Sequence, residues 1–120
     1  MLNRDLEYVD RIIEHCNYIE IIINDVNNDY ERFNCDFKSQ QSVSFNILQI
    51  GEIVKRLSEQ LKAEYNSIEW NKIYAMRNLV VHDYGSLDYS MVFETARRDI
   101  PELKKQCQAI VEELKKSWNN

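Results

Sequence analysis

Apolar residues recur at steps of three and four along most of the chain, and each such run predicts an amphipathic helix. The first run covers 4–26, where Leu6, Val9, Ile12, Ile13, Cys16, Ile19, Ile22, Ile23 and Val26 share one stripe and Asn3 is placed to cap the start. Asn27-Asn28-Asp29 closes that pattern, and the aromatic stretch 30–37 reads as a helical turn or a packed connection. A second helix follows Ser39, with Val43, Ile47, Ile50, Val54, Leu57 and Leu61 facing inward. Gly51 lies in its middle, where glycine costs about 1 kcal/mol relative to alanine. Close approach of another backbone is the expected return.

A third helix starts near Ser67, a candidate N-cap, and runs through Trp70, Ile73, Met76, Leu79 and Val80 to a stop at Gly85. Asp88 caps a further helix bearing Val92 and Ala96. Pro101 cannot sit in an ordinary helix interior, so a break or kink is expected near 99–101, with Asp99 as a fresh cap. The last helix carries Leu103, Cys107, Ile110, Val111 and Leu114 inward and ends at about Ser117. The prediction is an all-α bundle of four long helices plus a short one, as a single domain over 1–120.

Composition agrees with that class. Two glycines and one proline in 120 residues are too few for the turns of a β-rich domain. Three cysteines, Cys16, Cys35 and Cys107, are odd in number and widely spaced, which fits free thiols in a reducing cytoplasm better than a disulfide framework or a zinc site. No apolar run approaches the roughly 20 residues that span a bilayer, and the N-terminus lacks a signal-peptide pattern. Net charge is −5, which disfavours a protein that coats nucleic acid. The imbalance is local: residues 1–36 hold nine acidic and three basic side chains, the remainder eleven and twelve. Lys55-Arg56, Arg97-Arg98 and Lys104-Lys105 are therefore free to line a basic cleft, although any single pair reads equally as a solvated helix face.

The chemistry concentrates in Arg77-Asn78-Leu79-Val80-Val81-His82-Asp83-Tyr84. Arg77 and His82 are five residues apart, so on an ideal helix they diverge by roughly 140°. Spacing alone does not make them a site. Their apolar neighbours mark the segment as buried, and a buried guanidinium needs a partner or a task. Taken one at a time, His82 near a helix end, Arg77 and Tyr84 each have an ordinary structural reading.

As an ordered set, these residues resemble the HEPN superfamily, and within it the HepT-like toxins encoded beside small nucleotidyltransferases. The signature there is Arg, four to six residues, then His, with a polar residue after the Arg and a Tyr two after the His. Arg77, Asn78, His82 and Tyr84 match it. Ile50-Gly51-Glu52, Ile68-Glu69-Trp70, Met76, Asp83-Tyr84-Gly85 and Asp99-Ile100-Pro101 extend the likeness from about residue 45 to the C-terminus.

The resemblance implies a homodimer whose motif helices face each other, acting as a metal-independent endoribonuclease toxin in a type VII-like toxin–antitoxin system. Arg77 and His82 would be catalytic and Asn78 would position phosphate or sugar. Glu52, beside the close-packing Gly51, either pairs with Arg77 and fixes it or faces water. Tyr84 would accept AMP from a partner nucleotidyltransferase acting as antitoxin. No acidic cluster with metal-ligand spacing is present, and no cofactor is expected. Two other readings stay open: a non-catalytic nucleotide- or substrate-binding subunit of a nucleotidyltransferase complex, and a purely structural helical dimer.

Overall fold

A computed structural model of the protein describes residues 2–81 and 88–119. All regular structure among the described residues is helical. Helix α1 spans Leu2–Asp25, α2 Tyr30–Asn34, α3 Phe37–Arg56, α4 Glu59–Glu64, α5 Trp70–Ala75, α6 Asn78–Val81, α7 Tyr89–Glu94 and α8 Ile100–Asn119. A π-helical turn, Thr95–Asp99, joins α7 to α8 without interruption. No described helix is long and apolar enough to cross a membrane.

Three long rods make the body. Helix α1 packs against α3 on one side and α8 on the other. Its stripe Val9, Ile12, Cys16, Ile19 is wholly buried, and meets Val43, Ile47 and Ile50 of α3 and Ile100, Cys107 and Ile110 of α8 in one continuous core. Burial pushes the Cys16 thiol up to about 12 and raises that of Cys107 as well, so both stay protonated. The α1–α3 pair runs antiparallel, pinned at two heights. Asp5 accepts from the Ser58 amide at 3.0 Å and from its hydroxyl at 2.6 Å, and His15 Nδ1 meets Asn46 Oδ1 at 2.7 Å.

Asn27 and Asn28, at φ 58° and 54°, end α1 in the left-handed region that asparagine tolerates. Asn3 lies inside α1, whose first residue is Leu2, so it is not the cap. The expected second helix is two. Asp36, not Ser39, caps α3 by accepting from the Lys38 amide, and α3 stops at Arg56 because Leu57 turns extended. Ser58 then caps α4 through the Leu61 amide, so Leu61 reaches the core from a separate turn.

Pro101 does not break the chain. In an α-helix its ring would press on the carbonyl four residues back. The wide turn lets Ile100 N–H donate to Thr95 O, and the helix passes on with Pro101 in the first turn of α8. Asp99 is thus the last residue of the π turn, not a new N-cap.

Candidate active site

The expected helix from Ser67 to Gly85 is divided. Ser67 does not cap it. The Trp70 indole instead donates to Tyr65 O at 3.1 Å, and α5 begins with Glu69 in the cap position making no side-chain cap bond. After Ala75 the backbone tightens. Met76 N donates to Ile73 O, Arg77 N to Tyr74 O, Leu79 N to Met76 O and Val80 N to Arg77 O, at 3.0–3.3 Å. Such three-residue bonds wind the chain faster than an α-helix. Arg77 therefore sits at the junction of α5 and α6, so the angular separation of an ideal helix does not apply to it.

The junction lies against the middle of α3. A Cβ at Gly51 would stand 3.0 Å from Arg77 Cβ and 3.4 Å from both Arg77 Cδ and Tyr74 O. Glycine is there for space, since only a bare helix surface admits the Arg77 stem so closely. The next residue, Glu52, receives the head: Arg77 Nη1 donates to Glu52 Oε1 at 2.5 Å. Tyr74 supplies a third constraint, with the guanidinium carbon 4.8 Å from its ring centroid. That contact combines cation–π attraction with stacking. Sequence reasoning did not single out Tyr74, although its position three residues before Arg77 is the spacing of side-chain neighbours on a helix.

The Arg77 side chain keeps 27% of its exposure and Glu52 39%. Arginine has five N–H donors, and Glu52 engages one nitrogen. Among the described residues Arg77 Nε has no hydrogen-bond partner. That nitrogen is buried, so a phosphate oxygen would be met by the remaining N–H groups of the part-exposed guanidinium head, which Glu52 holds in place. Asn78 follows directly, exposed at the start of α6. His82 and Tyr84 lie outside the described residues.

The basic pairs have different surroundings. Lys55 and Arg56 are exposed in the last turn of α3, three and four residues beyond Glu52. Arg97 and Arg98 turn to Glu94 at 3.2 and 3.9 Å, and Lys104 meets Glu20 at 3.0 Å on the α1–α8 side. A groove of about 260 Å³ beside α5 is rimmed by Glu69, Asp99 and Glu102 over Ile73, Met76 and Leu103; its one lining cation, Lys72, is paired with Glu69 at 3.4 Å, so the lining is net acidic and ill-suited to phosphate. No group of three His, Cys, Asp or Glu side chains is placed to hold a metal among the described residues.

The family model described as "Ribonuclease HepT-like" matches residues 6–110. The chain belongs to the HepT-like ribonuclease family. One relative is a "Gamma-glutamylcyclotransferase and putative RNase" of Methanocaldococcus jannaschii, 34% identical over 113 residues, which are 94% of this chain and 50% of that protein. A "Putative RNase" of the same organism is 33% identical over 102 residues, 81% of this chain and 84% of the relative. A "Probable ribonuclease HepT" of Thermococcus cleftensis is 31% identical over 98 residues, 82% and 87% of the two chains. The chain thus spans half the length of the first relative and more than four fifths of the other two. No solved structure gives a significant match. The HepT-like family is a ribonuclease family, the enzyme class that the resemblance implied.

Proposed function

We propose that this HepT-like protein is the toxin of a toxin–antitoxin pair, a metal-independent endoribonuclease whose active cleft is shared by two copies. The observation that carries the reading is Arg77, a guanidinium clamped by Glu52, stacked on Tyr74 and seated over Gly51, with donors to spare. Cleavage through the ribose 2′-hydroxyl needs a base to take that proton and an acid to protonate the departing 5′-oxygen. The motif supplies one histidine per chain, so His82 of each copy takes one role. Arg77 holds the scissile phosphate and offsets the charge that grows on it. Asn78 orients the phosphate or the sugar. Lys55 and Arg56 extend a positive track beyond Glu52 for the flanking backbone.

Regulation follows from position. Tyr84 is two residues from His82, so an AMP group on its hydroxyl would set a bulky anion in the phosphate path. The donor is a partner nucleotidyltransferase serving as antitoxin. Intact-mass measurement of the chain co-expressed with that enzyme should show AMP additions that a Tyr84→Phe variant lacks.

The deciding experiment is RNA cleavage by purified protein in the presence of a chelator, with Arg77→Ala and His82→Ala alongside. The wild type is expected to cut and both variants to fail while keeping the helical content of the wild type. Full cleavage by His82→Ala would sink the mechanism. RNA binding without cleavage by the wild type would favour the non-catalytic binding subunit.

A further inference from the structure

Helix α5 packs on α3 and α8 packs on α1, and between α5 and α8 the surface falls into the acidic-rimmed groove of about 260 Å³. Its two walls have the same pattern. Glu69, Lys72, Ile73 and Met76 line it along α5, and Asp99, Glu102, Leu103 and Gln106 line it along the start of α8. Each set steps by three, four and seven from its first member, which makes one helical stripe about 10 Å long. Each stripe opens on an acid and carries an apolar residue four positions later. Leu103 is buried at the floor, Ile73 and Met76 are half-buried beside it, and Glu69, Asp99 and Glu102 are exposed.

Shape and charge narrow what fits. The volume lies below the roughly 300–1,000 Å³ of pockets that enclose a small ligand. No aromatic side chain lines the groove, so it lacks the slots that hold a proline-rich segment. Among the described residues there is no sheet edge to which a strand could add. A trough between two helical stripes takes a third helix, through apolar anchors at the same three- and four-residue spacing. The charges give its sign. Lys72 is engaged by Glu69, while Asp99 and Glu102 have no ion-pair partner among the described residues. The rim is therefore negative; it attracts a cationic helix and repels nucleic acid and acidic segments.

We propose that the α5–α8 groove docks a cationic amphipathic helix of a partner protein. Apolar side chains of that helix sit on Ile73, Met76 and Leu103, and its Lys or Arg side chains meet Asp99 and Glu102. Two turns of contact on each wall make a small interface, so the complex is of the transient kind in which charge steers the encounter. The groove lining includes none of Arg77, Glu52, Gly51 and Tyr74, so the ribonuclease reading stands or falls separately, in the cleavage assay.

Fluorescence anisotropy of the full chain with a dye-labelled peptide, KLKALLRKLAK, tests this at low salt. The leucines of that peptide fall on one helical stripe among cations. It should bind, and a peptide of the same composition with its leucines spread around the helix should bind about tenfold more weakly, because it cannot present the anchors together. Glu102→Lys should weaken the striped peptide about tenfold or more. Glu112→Lys makes the same change of net charge on exposed α8 surface outside the groove, and should cost less than about threefold. Equal binding of the two peptides, equal losses for the two variants, or no binding of the striped peptide up to about 1 mM would each overturn the proposal. So would displacement of the peptide by an equal concentration of spermidine, which would make the occupant a small cation. A lower particle mass for Glu102→Lys than for the wild type would assign the groove to another copy of the chain and overturn it as well.

Discussion

Two ion pairs join neighbouring helices at nearly equal exposure, and only one has the makings of a site. On the α1–α8 side Lys104 meets Glu20, at 27 and 35% exposure; at the α3–α5 junction Arg77 meets Glu52, at 27 and 39%. Charge and burial do not separate them. Geometry does. Lys104 approaches Glu20 Oε1 at 3.0 Å without hydrogen-bonding geometry, and that oxygen has no hydrogen-bond partner among the described residues. Arg77 makes a directed bond, stacks on an aromatic ring, and occupies a notch that a glycine opens in the opposing helix. A flexible ammonium at a rod–rod contact serves packing. A planar cation held from three sides is preorganised, and fixed donors stabilise developing charge because they need no reorganisation when the charge appears.

The largest expected consequence is at Arg77 itself. Arg77→Ala should lower RNA cleavage by about 10²–10³-fold, the usual loss when a charge-stabilising donor is removed. Glu52→Gln comes next. It keeps the shape but drops the charge that orients the guanidinium, and a fall of about tenfold or more in kcat is expected, since outer partners of functional groups typically matter at that level. Glu20→Gln in the same assay should leave the rate unchanged; an equal fall for both variants would erase the distinction drawn between the pairs. Gly51→Ala is subtler. Its new Cβ must displace the Arg77 stem by a few tenths of an ångström. The helix gains about 1 kcal/mol of propensity against that contact, so stability should move by less than about 1 kcal/mol. Cleavage should still drop several-fold because a small misplacement of a positioned group is costly. The smallest effect is at Lys104→Met, which should leave the cleavage rate as it is and shift stability by about 1 kcal/mol or less in chemical denaturation.

What the sequence could say about these pairs depended on how local the information was. The heptad-like apolar stripes of α1, α3 and α8 are periodic, so the rods and the core were readable from spacing alone. Gly51 was readable as a close approach, because a glycine in a helix otherwise costs stability. The meeting of Glu52 with Arg77, 25 residues later in the chain, is a tertiary fact that the glycine beside Glu52 only suggested. The split of the motif helix was not readable. Its apolar spacing continues across Met76 and Arg77, while the tightening there is a backbone event that leaves the side-chain period almost intact. The division of α3 from α4 was hidden similarly: Leu57 and Leu61 keep the helical interval, yet Ser58 ends one helix's surroundings and caps the next while tied to Asp5.

The wide turn at Thr95–Asp99 has a bearing on how this chain tolerates change. A π turn holds one residue more than the α-helical turn it replaces, so it behaves as an insertion absorbed in place. Upstream of it Phe93 packs on Tyr30 and Phe33; downstream Ile100, Leu103 and Cys107 are buried in the core where α8 packs on α1. The extra residue sets the phase between these two stripes by about 100°. Excising one exposed residue of the turn, such as Arg98, would leave every apolar residue in the sequence and still rotate the remainder of α8 off its track. Single-residue deletions should therefore be far more damaging at 95–99 than substitutions at the same positions, and the turn acts as a gear setting for the whole C-terminal rod.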